Sequence, residues 1–157
     1  MVDEFFAEKT WYGPGPDVIR KNFDAYLKTL RGFAEGKNLP EGWVPATEFW
    51  VLLHQEVVGR IMVRHRLSPK LEKLGGHIGY EIRPPFRQRG LGVFALAAVL
   101  PYAARVKISR ALLTCSDDNT GSIRIIEKCG GILQDKIQNP ERQVLTRRYW
   151  IDLAPFK

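Results

Sequence analysis

Apolar positions along the chain fall into blocks with two different periods. Val18, Ile19, Phe23, Tyr26, Leu27, Leu30 and Phe33 recur at the spacing of one helix face. They predict a helix from Asp17 to a stop at Gly36, behind the breaker cluster Trp11-Tyr12-Gly13-Pro14-Gly15-Pro16. After a loop with two prolines, residues 48–53 (EFWVLL) and 57–63 (VVGRIMV) are rich in β-branched and aromatic side chains. They read as two strands joined tightly through His54-Gln55-Glu56. Ser68-Pro69 breaks the second. Residues 75–82 (GGHIGYEI) read as a third strand, ended by Pro84-Pro85. Helical spacing returns over 90–106, with Phe94, Ala97, Ala98, Val99 and Ala104 as packing positions. Pro101 is expected to kink or split that helix. A short strand over 111–115 precedes the capping side chains Asp117-Asp118-Asn119. A helix over 122–129 then stops at Gly130-Gly131, and strands over 132–137 and 144–153 close the chain. This order predicts a mixed α/β fold, one domain over 1–157.

Composition narrows the class. The chain has 157 residues, 45% hydrophobic and 26% charged, enough to bury one ordinary core. Its longest apolar run, Val93 to Leu100, is well short of the ~18 residues of a membrane span. No basic region precedes an apolar one at the N-terminus, so no signal peptide is expected. Two cysteines, Cys115 and Cys129, are too few for a disulfide scaffold, and a reducing cytoplasm is the expected compartment. Collagen, coiled coil, membrane span and zinc finger are excluded. Lys+Arg of 24 against Asp+Glu of 17 gives a net charge of +7. That excess suits nucleic acid, an anionic membrane or a phosphate-rich cofactor, and solubility alone would also account for it.

One segment concentrates the chemistry: Ile82-Arg83-Pro84-Pro85-Phe86-Arg87-Gln88-Arg89-Gly90-Leu91-Gly92. A strand ends, the chain turns through basic residues, and a helix opens at two spaced glycines. The first N–H groups of a helix lack internal partners and carry the positive end of its dipole. Gly90 and Gly92 would admit a ligand close to the backbone, and Arg87 and Arg89 would add charged contacts to phosphate oxygens. The segment lacks the Gly-Lys-Ser/Thr of a Walker A loop and the third glycine of a dinucleotide fingerprint.

Here the chain resembles the GNAT superfamily of acyl-CoA-dependent N-acetyltransferases. Arg87-Gln88-Arg89-Gly90-Leu91-Gly92 matches that family's pyrophosphate signature, and the run from Asp118-Asn119-Thr120-Gly121-Ser122 through Glu127-Lys128-Cys129-Gly130 resembles its second signature. The two lie about one helix and one strand apart, and the likeness covers roughly residues 47 to 153. The resemblance implies a GNAT-like fold, a central, mostly antiparallel mixed sheet splayed at the acyl-CoA site with flanking helices. It implies acetyl-CoA as co-substrate and direct transfer to a primary amine in a ternary complex. Backbone groups near Ile82 and Arg83 would pair with the pantetheine arm, the N–H groups of Gln88, Arg89, Gly90, Leu91, Gly92 and Val93 would hold the pyrophosphate, and Asn119 and Ser122 would lie by the arm. A backbone N–H of the splayed strand would polarise the thioester carbonyl. Two departures stand out. Ile126 occupies the place of the tyrosine with which many members protonate the leaving thiolate, and no convincing strand precedes Phe23. The family also raises the expectation of a homodimer.

A general base must take a proton from the acceptor's ammonium. His77 fits by its ordinary pKa of about 6.5, or is a histidine bonded to backbone. Glu81 is second, on the same strand and, by alternation, the same face. Tyr80, on the other face, is an acid or a packing residue. His65 would approach His77 if their strands pair, and His54 belongs to a turn. No ligand spacing among the three histidines supports a metal site. The cysteines read as packing rather than as nucleophiles. Trp43, Trp50 and Tyr12 wall an acceptor pocket or join the core. Arg105, Lys107 and Arg110 straddle a helix end and suit its dipole as a solvated face. The acceptor itself, a small molecule or a peptide, has no recognisable code. A non-catalytic acyl-CoA-binding module is the alternative. A nucleic-acid-binding protein is the weaker one, because no recognition motif accompanies the charge.

Overall fold

The structure is a computed structural model that describes residues 2–8, 15–140 and 143–156. The predicted N-terminal helix is in fact two. Helix α2 (Pro16–Lys21) opens on its proline, and α3 (Phe23–Ala34) opens on Asn22. The backbone of Asn22 is extended (φ −153°), and its side chain accepts the Ala25 N–H at 2.9 Å, so a local cap interrupts a continuous apolar stripe. A short helix not foreseen from the sequence, α1 (Val2–Ala7), precedes them. Before Phe23 the described residues contain helices and no strand. Tyr12 and most of the breaker cluster lie outside the described residues.

Strands β1 (Ala46–Leu53) and β2 (Glu56–Arg64) form the expected hairpin, turned by His54 and Gln55 at φ of 46° and 68°. Ser68 does more than end β2: its hydroxyl caps a second unforeseen helix, α4 (Pro69–Lys73). Strand β3 (Ile78–Ile82) is shorter than the stretch read from the sequence, because Gly75 and Gly76 take left-handed conformations just before it. Helix α5 (Leu91–Arg105) carries Pro101 on its exposed side without being divided. Strand β4 (Arg110–Ser116), helix α6 (Thr120–Lys128) and strands β5 (Ile132–Gln138) and β6 (Leu145–Asp152) follow as expected.

The mixed α/β fold read from the sequence is therefore present. Its strands form two antiparallel sheets, ordered β1-β2-β3 and β4-β6-β5. They meet at one bridge, Gly76 to Leu113. Helix α5 packs across the junction, and one core joins Ile61, Val63, Ile78, Leu96, Leu100, Leu113, Ile126, Tyr149 and Ile151. Helices α1 to α3 cover the other face of the first sheet around Phe5, Ile19, Tyr26 and Trp50. No described helix is long and apolar enough to cross a membrane.

Candidate functional site

The site is set by how β3 leaves β4. Ahead of β3 the chain is stitched down. His77 N–H donates to the Leu112 carbonyl at 2.6 Å, Leu112 N–H donates back to His77 Nδ1 at 2.9 Å, and Gly75 N–H reaches Thr114 Oγ1 at 3.0 Å. Arg64 braces the same turn from β2, its Nη1 on the Gly76 carbonyl at 3.0 Å. Beyond Gly76 no described ladder bond links β3 to β4. Arg83 N–H bonds the Val58 carbonyl on β2 at 2.9 Å. Alternation then turns the backbone groups of Ile82 and Tyr80 away from β2, into the gap. Arg83 therefore offers the gap no N–H, unlike the sequence expectation.

A basic loop closes the wide end of the gap. One 3-10 turn (Pro84–Phe86) leads to Gln88 and Gly90, both left-handed at φ of 61° and 78°. Nothing lies within 4 Å of where a Gly90 Cβ would stand, and no side chain caps α5. The first internal bond of α5 runs from Phe94 N–H to Gly90 at 3.0 Å, so the amides before it point outward as anion donors. Gly92 has another role. A Cβ there would stand 2.5 Å from Ile125 Cδ1, so this glycine also lets α5 pack closely on α6. The arginines also differ from expectation. Arg83 and Arg87 turn to carboxylates of the N-terminal segment, Glu4 and Glu8, while Arg89 lies over the Phe86 ring at 5.6 Å.

On the far wall Asn119 caps α6, its Oδ1 accepting Ser122 N–H at 3.0 Å. Its carboxamide oxygen is thus engaged by the helix that lines the gap. Tyr80 crosses the gap and donates to the Ser122 carbonyl at 3.4 Å, near Cys115 and Cys129. Burial pushes its phenol up, which keeps it protonated. Ile126 is 1% exposed, a core residue with no proton to give.

The sequence pattern of the acetyltransferase (GNAT) domain matches residues 3–132. The chain belongs to the GNAT acetyltransferase family. Among solved structures, a probable acetyltransferase has a TM-score of 0.68 at 16% identity, over 95% of this chain and 80% of its own. The alpha-N-protein acetyltransferase RimL in its apo form has a TM-score of 0.64 at 18% identity, over 96% and 81%. The protein yncA of Salmonella typhimurium, described as an acetyltransferase and solved with its cofactor acetyl-CoA, has a TM-score of 0.62 at 13% identity, over 85% and 73%. No curated protein sequence matches the chain.

Within this GNAT domain the candidate bases separate. His77 precedes β3, so strand alternation does not extend to it, and its ring points to the second sheet while Glu81 points under the N-terminal helices. Burial, with Arg64 nearby, lowers the His77 pKa to about 4. A neutral imidazole has one lone pair, and Leu112 N–H takes it at Nδ1. The ring is a brace between sheets, which corrects its reading as a base. Glu81 accepts Arg60 Nε at 2.9 Å, and Arg60 reaches Glu48 at 3.4 Å. Glu48 in turn accepts Trp50 Nε1 at 2.9 Å. Trp50 and Tyr26 line a cavity of about 270 Å³ with Asp3, Arg20, Phe23 and Val57. A larger apolar groove of about 490 Å³ runs between β1 and α5, past Leu52, Phe94 and Tyr102.

The remaining candidates find structural partners. His65 does not face His77; its Nε2 lies 2.9 Å from Thr47 Oγ1, which also meets Tyr102. His54 sits in the hairpin turn. Trp43 packs on Phe33, Arg105 lies over Tyr102 and Arg110 over Trp150. Burial pushes the Cys115 thiol up to about 11, an inert setting for a nucleophile. Glu4, Glu8, Glu48 and Arg60 escaped the sequence reading. Glu4 stands 79 positions from Arg83, and no local pattern announces such a pair.

Proposed function

We propose that this GNAT domain transfers an acetyl group from acetyl-CoA to a primary amine of a small molecule or peptide, in the cytoplasm. The observation that carries the reading is the gap between β3 and β4 opening onto the uncapped N-terminus of α5 at the unobstructed Gly90. The residues present fit the co-substrate. The amides of residues 88–93, with Arg89, suit the pyrophosphate, and the inward-facing backbone of Tyr80 and the Ile82 N–H suit the pantetheine amides, the Ile82 carbonyl being held by Arg87 Nε. Acetyl-CoA, when bound, supplies an activated acyl thioester.

The chain's own residues would do the rest. A backbone N–H of β3 polarises the carbonyl, and the ternary complex removes the entropy of encounter. Glu81 receives the ammonium proton from the face under α1 to α3, where Trp50 and Tyr26 wall the acceptor cavity. Tyr80 donates to the departing thiolate from the other face, in place of the helix tyrosine that Ile126 replaces.

Calorimetry with acetyl-CoA and with free CoA tests this reading. Micromolar binding is the expected result, together with release of free thiol when an accepted amine is added. Gly90→Asp sets a carboxylate where the pyrophosphate should lie, in open space, and should weaken binding at least about tenfold, or ~1.4 kcal/mol. Absent binding in the unsubstituted chain, or affinity unchanged in Gly90→Asp, removes the phosphate assignment.

A further inference from the structure

We propose that the N-terminal helix belongs to the cofactor site: Glu4 and Glu8 are positioning residues that hold the anion-binding loop in shape through Arg83 and Arg87. The inference rests on reading that loop as the pyrophosphate site.

Two ion pairs tie α1 to the loop in register. Glu4 and Glu8 are four apart on one helical face, with Glu8 N–H bonded to the Glu4 carbonyl at 3.0 Å. Arg83 and Arg87 are likewise four apart and flank the 3-10 turn Pro84–Phe86. Arg83 holds both carboxylate oxygens of Glu4 through Nε and Nη2, and Arg87 holds both of Glu8 at 3.1 and 2.6 Å. Each guanidinium also grips the end of the first sheet. Arg83 Nη1 donates to the Val57 carbonyl at 3.0 Å and to Glu56 at 2.6 Å, and Arg87 Nε donates to the Ile82 carbonyl at 2.8 Å. A planar fork fixed at both ends cannot swing out to a ligand without breaking several bonds.

This arrangement explains a backbone feature of the loop. Gln88 is left-handed at φ 61° although it carries a side chain. Such a conformation persists where its surroundings over-determine it. Arg87, the neighbour of Gln88, is locked on its N-terminal side by Glu8 and Ile82. The locked loop presents the amides ahead of α5 ready for an anion, so less ordering remains to be done on binding. The loop's affinity for phosphate then comes from amides and Arg89, with Arg83 and Arg87 serving as framework.

Acetyl-CoA titration of the full chain, unsubstituted and as Glu8→Gln, tests the brace, with thermal unfolding as a check on folding. An ion pair of this exposure is worth up to about fivefold in an equilibrium, so Glu8→Gln should weaken acetyl-CoA about that much. With an accepted amine in hand, KM for acetyl-CoA should rise more than kcat falls. The exchange Glu8→Arg with Arg87→Glu should recover part of the loss. Unchanged affinity in Glu8→Gln overturns the brace alone. Tighter binding overturns it too, and makes Glu8 a competitor of phosphate for Arg87. No binding by the unsubstituted chain overturns the reading of the loop, and the brace with it.

Discussion

The two ends of β3 are bounded in opposite ways. At its start, Gly76 bridges to Leu113 and His77 exchanges two bonds with Leu112, so the sheets are sewn together over a few residues. At its finish, Ile82 and Tyr80 turn backbone groups toward β4 and meet no described strand partner there; Arg87 of the basic loop takes the Ile82 carbonyl, and a helix N-terminus stands across the opening. Buried backbone groups are normally paired. On the proposed function, a ligand's amides and phosphates would complete the structure in the gap left beside this tightly closed seam. The seam is as necessary as the gap, because it fixes the angle at which β3 departs.

Breaking the seam should have the largest effect. Gly76 is left-handed at φ 68°, and a Cβ there would overlap the Leu112 carbonyl. Gly76→Val adds a β-branched side chain to both problems and should cost more than about 3 kcal/mol, read from the urea midpoint. A shift under about 0.5 kcal/mol would show that the bridge does not hold the sheets.

His77 allows a gentler test by pH. Its folded pKa of about 4 lies below the ordinary 6.5, so the unfolded chain binds its proton first as acid is added. The stability it contributes is whole above about pH 6.5 and declines toward pH 4, by roughly 3 kcal/mol at most. His77→Gln keeps an acceptor for Leu112 N–H and removes the titration. The variant's stability should fall less steeply than the unsubstituted chain's between those pH values. Equal slopes would mean that the ring is not a neutral brace.

The seam and the gap were unequally legible in the sequence. The strands around the gap, the loop and both helices behind it follow from apolar periods, prolines and paired glycines, all local signals. The capping run Asp117-Asp118-Asn119 was legible for the same reason, although only the structure selects Asn119 from it. The seam was not legible: His77 reads as an extension of β3 until Gly76 turns the chain, and its partner Leu112 is 35 positions away. Gly90 and Gly92 look alike in the motif, yet one is open and the other is pressed on Ile125, a distinction that only packing makes. The split at Asn22 was missed because the apolar stripe runs on through a residue whose side chain bonds its own backbone neighbourhood. The partners of Arg83 and Arg87 lie on, and one residue past, a helix too short to leave a period.

The smallest effect should come from the open end. Tyr80 spans the gap with one bond to the Ser122 carbonyl at 3.4 Å, a long contact. Removing the hydroxyl in Tyr80→Phe should cost under about 1 kcal/mol of stability and leave the ring's packing in place. Its chemical share is also modest. A thiol with an ordinary pKa of about 8.5 departs as thiolate more readily than a buried phenol gives up its proton, so what Tyr80 supplies is a hydrogen bond to the thiolate, worth about tenfold in kcat, ~1.4 kcal/mol. Steady-state rates at saturating acetyl-CoA and amine, beside a calorimetric Kd, separate the two roles. A lower kcat with an unchanged Kd makes Tyr80 the donor that Ile126 cannot be. An unchanged kcat leaves water in the open gap as the proton donor and Tyr80 as packing between β3 and α6.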